Sequence, residues 1–240
     1  VFEEFKERKI VILNGSVLDA LESAILTMKR GERALFSIKS DYGYKTALSI
    51  KPANVSVDDD LIFELQLVSF EKAKETWSMN FEEKVQVMKE KKEMGNHLFA
   101  QNRLRSAIKL YEKAIGFFEY STSELPTDIR SEVNVLLVQC HLNLAACYEK
   151  ENNYEKVLQH CAKALDIEPG NLKALYRQGN AYMMTEEYFK AESALKYALE
   201  FHPTNTAVAT KLRELKARQK ERDAKDKKMF RSIFASSITE

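Results

Sequence analysis

Two kinds of hydrophobic pattern divide the first seventy residues. Residues 33–38 (RALFSI) alternate apolar and polar side chains, and residues 60–70 (DLIFELQLVSF) have the composition of a β-strand. Residues 17–28 (VLDALESAILTM) instead space their apolar positions along one face of a short helix. Strands around a single helix predict a small α+β domain, which we place at residues 1–70.

Beyond residue 86 the pattern becomes a repeat with a period of 34 residues. It is marked by residues that stand 34 positions apart: Ala145 and Gly179, Val157 and Ala191, Ala164 and Ala198, Pro169 and Pro203. An earlier unit contains Gly95, Ala107 and Ala114 at the same mutual spacing, but precedes the second unit by 50 positions and so carries 16 extra residues. We expect these to lengthen the end of the first unit and the start of the second, with a turn at Thr122–Thr127.

A period of this length predicts paired helices. Small residues let the two helices of a unit approach closely where they cross, and the prolines stop the second helix of a unit. The period is that of the tetratricopeptide repeat (TPR), and three units suffice for a stable stack. We therefore predict an all-α TPR superhelix of three helix-turn-helix repeats at residues 87–205, preceded by a linker at residues 71–86.

The last segment, residues 206–240, predicts one long charged helix from about Ala207 to Phe234, with a tail. The apolar face that should cap the last repeat consists of Val208, Leu212, Leu215 and Ala217. The basic remainder ends in a second apolar set, Met229, Phe230, Ile233 and Phe234. A solvated capping extension is the favoured interpretation of this remainder, and a calmodulin-target helix is the alternative.

Candidate binding residues lie in the first helix of each unit. Lys92 and Asn96 are four apart in the first unit and share a helix face, as do Lys173 and Arg177 in the third. Asn143 holds in the second unit the repeat position that Arg177 holds in the third. Lys, Arg and Asn side chains all donate hydrogen bonds to carboxylates. The alternative is that the Lys side chains are merely solvated and that Asn143 is a buried polar residue between helices.

These five residues resemble the two-carboxylate clamp of chaperone-binding TPR domains. The resemblance implies that the groove binds a peptide ending in Glu-Glu-Val-Asp, the C-terminus of heat-shock protein 90, while the heat-shock 70 class has a similar tail. It also implies that Lys92, Asn96 and Asn143 hold the main-chain carboxylate. Lys173 would then bind the aspartate side chain, and Arg177 the upstream peptide.

The N-terminal segment resembles a second family. The runs GSVLDALESAILTMKRGERA, SDYGY and LIFELQL resemble an FKBP-type prolyl isomerase domain, and FEKAKETWSMNFEEK resembles the linker that joins FKBP and TPR domains in the large immunophilins. The resemblance covers nearly the whole chain and implies that the FKBP-like domain is partial, with its first strand missing. It also implies a co-chaperone adaptor that serves client proteins, which the sequence does not name.

The resemblance also locates a proline pocket, an aromatic cage in this family. Residues that match cage positions, or that align with them, are Phe2, Val17, Leu18, Tyr44 and Phe63. Residues that depart from the family are Leu21 in place of the tryptophan floor, Glu3 in place of an aspartate, and Lys45 in place of a glycine. Losing the floor aromatic removes the flat surface on which a proline ring packs. We therefore expect a structural or client-interaction module without catalytic residues, with an active or weakly active isomerase as the alternative.

Net charge and the positions of the cysteines bear on the class of partner, on metal binding and on the cellular compartment. A net charge of +1 favours neither nucleic acid nor an anionic membrane as partner, and no apolar run approaches the length of a membrane span. Cys140, Cys147 and Cys161, near His141 and His160, could be drawn as a zinc site, but their positions in the repeat favour buried core residues. Reduced thiols indicate a cytoplasmic protein, with the nucleus as the alternative. We predict no metal and no cofactor.

Overall fold

The computed structural model describes residues 10–11, 17–46, 50–71, 74–118 and 125–236, with side chains as far as residue 229. Within these ranges the helices and strands are α1 (Asp19–Ile25), β1 (Arg33–Ile38), β2 (Leu61–Gln66), α2 (Phe81–Ala100), α3 (Leu104–Gly116), α4 (Thr127–Lys150), α5 (Tyr154–Ile167), α6 (Leu172–Met184), α7 (Tyr188–Phe201) and α8 (Thr206–Ser236). The chain divides into two compact units, Val1–Leu136 and Leu137–Glu240. A small sheet followed by helical hairpins confirms the predicted fold class.

The first unit begins with a two-stranded antiparallel sheet. β1 pairs with β2 from Arg33 opposite Gln66 to Ile38 opposite Leu61. Side chains alternate between a covered and an exposed face along both strands, as the sequence pattern predicts. The covered face packs with α1 around a buried apolar cluster of Val17, Leu18, Leu21 and Ile38. This cluster is the core of the FKBP-like segment.

A buried arginine joins this segment to the first helical hairpin. Arg103 lies in the turn between α2 and α3, and its side chain is only 1% exposed. Its Nη2 donates a hydrogen bond to the backbone oxygen of Val17 over 2.8 Å and forms an ion pair with Asp19. Because a buried guanidinium must be paired to be tolerated, this contact ties the start of α1 to the repeat turn.

The hairpin of α2 and α3 depends on a glycine. A Cβ at position 95 would lie 2.6 Å from Cε1 of Tyr111, closer than carbon atoms can approach. Tyr111 is itself buried against α2. Asn80 begins α2 with a capping box, in which its Oδ1 accepts from the backbone of Glu83 and Glu83 accepts in return.

The hairpin of α6 and α7, which is the third repeat and lies in the second compact unit, has the same arrangement. A Cβ at position 179 would lie 2.7 Å from Cγ of Leu195, so the glycine again permits the close crossing. Leu195 belongs to a buried cluster with Leu175, Ala198 and Leu215. Since Leu215 is on α8, the long C-terminal helix covers the last repeat as predicted.

The turn inside every repeat has the same backbone form. Asn102, Asn152 and Glu186 are the non-glycine residues of the described chain with a positive φ, at 61°, 56° and 61°. Their spacings, 50 and 34 positions, are those of the repeat. Asparagine tolerates this left-handed region better than most residues, so Glu186 is the strained member of the set.

Asparagines also begin the helices that follow the two repeat prolines. Oδ1 of Asn171 accepts a hydrogen bond from the backbone of Ala174 over 3.0 Å, and Oδ1 of Asn205 accepts one from Val208 over 3.0 Å. Pro169 and Pro203 each lie between the end of one helix and this cap. The sequences EPGN and HPTN therefore both stop one helix and start the next.

The extra residues of the first repeat lengthen α4, which has 24 residues where α6 has 13. The first half of the turn predicted at Thr122–Thr127 lies outside the described residues, and Thr127 begins α4. The division into domains at residues 70, 86 and 205 stays a prediction. So does the calmodulin alternative, because the side chains of its last apolar residues lie outside the description.

We expect Gly179→Ala to lower the free energy of unfolding by about 1–3 kcal/mol, because the new methyl group overpacks against the buried Leu195. Gly116→Ala is the matched control, since a Cβ there meets nothing within 4 Å. In the control the helix should gain up to about 1 kcal/mol from alanine propensity. Urea unfolding followed by circular dichroism measures both, and equal effects of the two variants would contradict the close-approach account.

We expect Arg103→Ala to lower the free energy of unfolding by about 1–3 kcal/mol, because it leaves the buried Val17 carbonyl and the half-buried Asp19 carboxylate without this donor. Arg105→Ala, at an exposed position two residues later, is the control and should change it by less than about 0.5 kcal/mol. Thermal unfolding of the two variants decides the matter. A similar small change in both would mean that Arg103 does not hold the two segments together.

Candidate functional site

Lys92 and Asn96, predicted from the first repeat, lie one turn apart on α2 in the first unit. Lys92 Nζ is 3.0 Å from Oε1 of Glu93, and Asn96 Nδ2 donates to Oε2 of Glu93 over 3.1 Å. The two side chains therefore converge on one carboxylate, which belongs to the chain itself. This is the donor arrangement that carboxylate binding needs.

A tyrosine of the facing helix orients the asparagine. Tyr111 Oη donates a hydrogen bond to Oδ1 of Asn96 over 2.9 Å. With its oxygen occupied in this way, the amide of Asn96 directs its Nδ2 donor at Glu93. The contact depends on Gly95, because any side chain there would push the Tyr111 ring away from α2.

The other predicted clamp residues lie in the second compact unit, Leu137–Glu240, which contains the third repeat. Asn143 is on α4 and half-buried, while Lys173 and Arg177 are on α6, exposed and half-buried respectively. Arg177 Nε donates to Oε2 of Glu149 over 3.3 Å. Asn180 on the next turn of α6 donates from Nδ2 to Oε1 of the same Glu149 over 2.9 Å. A second pair of donors on a first helix thus holds a carboxylate.

The five predicted residues are therefore divided between the two units, and their joint action on one ligand stays a prediction. The structure adds partners that sequence reasoning missed, namely Glu93, Tyr111, Glu149 and Asn180. A sequence signal exists for Glu93 and for Asn180, which stand three positions from Asn96 and from Arg177 and so share their helix faces. Tyr111 and Glu149 reach their partners from another helix.

The predicted proline pocket is partly described. Val17, Leu18 and Leu21 are buried in the apolar cluster of the first unit, and Tyr44 and Phe63 pack against it half-buried. Phe2 and Glu3 lie outside the described residues. The structure thus brings together the five described members, with the leucine at the floor position only 6% exposed.

Lys45, the departure from the family next to Tyr44, is held on the surface by two carboxylates. Its Nζ is 3.1 Å from Asp58 and 3.4 Å from Asp41. Hydrogen bonds to Asp58 and then Asp41 raise the pKa of Lys45 above its usual range. The residue therefore carries its positive charge beside the predicted pocket.

The three cysteines are fully buried and form no disulfide, as the favoured interpretation expects. Burial raises the pKa of Cys147 and of Cys161 to about 12, so both thiols stay protonated and unreactive at neutral pH. His141 and His160 share a hydrogen bond of 3.2 Å between their Nδ1 atoms. Within the described ranges, no group of three or more His, Cys, Asp or Glu side chains is placed to hold a metal ion.

Among the helices that the structure describes, none has the length and apolar composition to cross a membrane.

Comparison with known proteins agrees with both predicted resemblances. Residues 1–68 match the family of FKBP-type peptidyl-prolyl cis-trans isomerases, and residues 138–171 match the tetratricopeptide repeat. Over 232 residues the chain is 31% identical to the peptidyl-prolyl cis-trans isomerase FKBP4 of Homo sapiens, an alignment that covers 95% of this chain and 50% of that protein. The chain spans about half the length of the curated FKBP4 relatives that it matches.

Two solved structures resemble the chain as well. The Hsp90 co-chaperone Cns1 from Saccharomyces cerevisiae is 26% identical, with a TM-score of 0.54 and coverage of 62% of this chain and 45% of that one. A multi-domain immunophilin from Arabidopsis thaliana is 30% identical, with a TM-score of 0.50 and coverage of 74% of this chain and 70% of that one. With an FKBP segment at its start and TPR hairpins after it, this chain belongs to the FKBP-type immunophilins that carry a TPR domain.

Proposed function

We propose that this protein is a co-chaperone adaptor whose TPR groove binds the acidic C-terminal peptide of a heat-shock chaperone. Heat-shock protein 90 is the proposed partner, and the heat-shock 70 class is the alternative with a similar tail. The clamp consists of Lys92, Asn96, Asn143, Lys173 and Arg177, in the roles that the family resemblance implies. Likeness to a structure described as an Hsp90 co-chaperone supports this choice.

The observation that carries the proposal is that clamp donors already bind carboxylates. Lys92 and Asn96 share the carboxylate of Glu93, and Arg177 shares that of Glu149 with Asn180. Donor pairs on two first helices thus each hold a carboxylate, which supports a role of Lys92, Asn96 and Arg177 in binding a carboxylate ligand.

The physical chemistry of such a groove predicts modest affinity. Ordering a flexible peptide offsets much of the gain from the charged contacts, which leaves a dissociation constant on the order of micromolar. Salt should weaken the complex, because its contacts are between charges near the surface. The proposal places the protein in the cytoplasm or nucleus, with client proteins as further partners, and includes no nucleic acid, membrane, metal or cofactor.

We expect Lys173→Ala or Arg177→Ala to abolish measurable binding of a peptide ending in Glu-Glu-Val-Asp, because each removes a charged donor from the groove. Lys196→Ala is the matched control: Lys196 lies on α7, is 60% exposed and pairs only locally with Glu192. Titration calorimetry measures the affinities, and circular dichroism checks that the helices are intact. Unchanged affinity of both α6 variants would contradict the assignment of Lys173 and Arg177 to the clamp.

A second candidate function is prolyl isomerisation, favoured by the family match over residues 1–68 and by the clustering of the described pocket residues. We propose instead that the FKBP-like segment is a structural or client-interaction module. Leu21 offers no flat aromatic surface to a proline ring, and it is enclosed in the apolar core. In the alternative, the TPR groove would carry a weak isomerase to chaperone clients.

We expect the chain to turn over a proline-containing peptide at the background rate, because the floor of the pocket is missing. A protease-coupled assay of cis-to-trans conversion measures this directly, with an active FKBP domain as the positive control. Turnover well above background that an FKBP inhibitor suppresses would establish the isomerase and overturn the structural role.

A further inference from the structure

The carboxylates that occupy the clamp donors bear on how the groove is regulated. Glu93 uses both of its oxygens, Oε1 toward Lys92 Nζ at 3.0 Å and Oε2 toward Asn96 Nδ2 at 3.1 Å. A peptide carboxylate would need the same two donors in the same geometry. The internal and external carboxylates therefore compete for one position.

The second unit contains the same arrangement at a different place in the repeat. Glu149 uses Oε2 to accept from Arg177 Nε at 3.3 Å and Oε1 to accept from Asn180 Nδ2 at 2.9 Å. Glu93 is on the same helix as its donors, whereas Glu149 reaches α6 from α4. A glutamate thus accepts from two donors of a first helix in both places, although the two glutamates hold different positions in the repeat.

Exposure shows which partner of the Glu93 contact can move. The Glu93 side chain is 66% exposed, whereas that of Lys92 is 16% exposed. Turning Glu93 into solvent therefore disturbs little of the packing, while Lys92 stays where it is. Exposed pairs of this kind are weak, so an incoming ligand with more contacts can displace the glutamate.

We propose that Glu93 and Glu149 are internal competitors, which occupy the clamp donors in the free protein and are displaced by the acidic peptide. This inference rests on the proposed function and concerns the regulation of the same site. Its consequence is a threshold for binding, because a ligand gains affinity at each pair of donors only by replacing the glutamate that already occupies it. The competitors also lower the affinity for the correct peptide.

Two further observations support the role of Glu93. Its hydrogen bonds, first with Lys92 and then with Asn96, hold the pKa of Glu93 below its usual range, so the carboxylate remains ionised at neutral pH. The hydrogen bond from Tyr111 to Oδ1 of Asn96 fixes the amide with its donor toward the carboxylate. A reversed amide would set two oxygens against each other.

The test is calorimetric titration of the full chain with a peptide ending in Glu-Glu-Val-Asp. Glu93→Gln removes the competing charge, and we expect it to tighten binding about two- to fivefold, the size typical of an exposed charge pair. Glu90→Gln is the matched control, with the same change in charge on the same helix, at an exposed residue that accepts only from Gln86. It should leave the affinity unchanged.

The outcomes separate this inference from the proposed function. If the unmodified chain binds the peptide and Lys92→Ala abolishes binding, but Glu93→Gln behaves like Glu90→Gln, then internal competition is overturned and the clamp stands. If neither the unmodified chain nor the double variant Glu93→Gln with Glu149→Gln binds, both are overturned. Binding that appears only in the double variant would support competition strongly.

Discussion

The close crossing of two helices, permitted by a glycine, is the constraint on which the candidate binding face depends. At Gly95 and at Gly179 the neighbouring helix places a large buried side chain where a Cβ would otherwise be. In the first repeat this contact does more than pack the hairpin, since it brings the Tyr111 hydroxyl within reach of Asn96. Gly95 thus permits both the packing of the hairpin and the contact that directs the Asn96 amide.

A buried charge plays the corresponding role for the FKBP-like segment. Arg103 belongs to the repeat turn by sequence, yet its partners are Val17 and Asp19 at the start of α1. Val17 and Leu18 also belong to the predicted pocket. The contacts of Arg103 with Val17 and Asp19 therefore join the wall of that pocket to the turn of the first repeat.

Periodicity was enough to predict the fold. The alternation in residues 33–38, the helical spacing of residues 17–28 and the 34-residue period each correspond to an observed element, because local backbone geometry fixes where side chains point. The lengthening of α4 followed from the extra residues alone. Such inferences need no knowledge of what lies across the core.

Periodicity does not predict the side-chain contacts of the candidate site. Arg103 and Glu149 carry no such sequence signal, because their partners are distant in sequence. Glu93 was in view beside Lys92, but only side-chain geometry shows that it bridges both donors. Phe2 and Glu3 of the predicted pocket lie outside the described residues and stay predictions.

The central claim is that the groove recognises the terminal carboxylate of an acidic chaperone peptide. It is tested most directly by titrating the chain with one peptide ending in Glu-Glu-Val-Asp, prepared both as the free acid and as the C-terminal amide. The account predicts that the free acid binds and that the amide binds at least about tenfold more weakly, because hydrogen bonds to a charged group are lost. Equal affinity for the two peptides would contradict it.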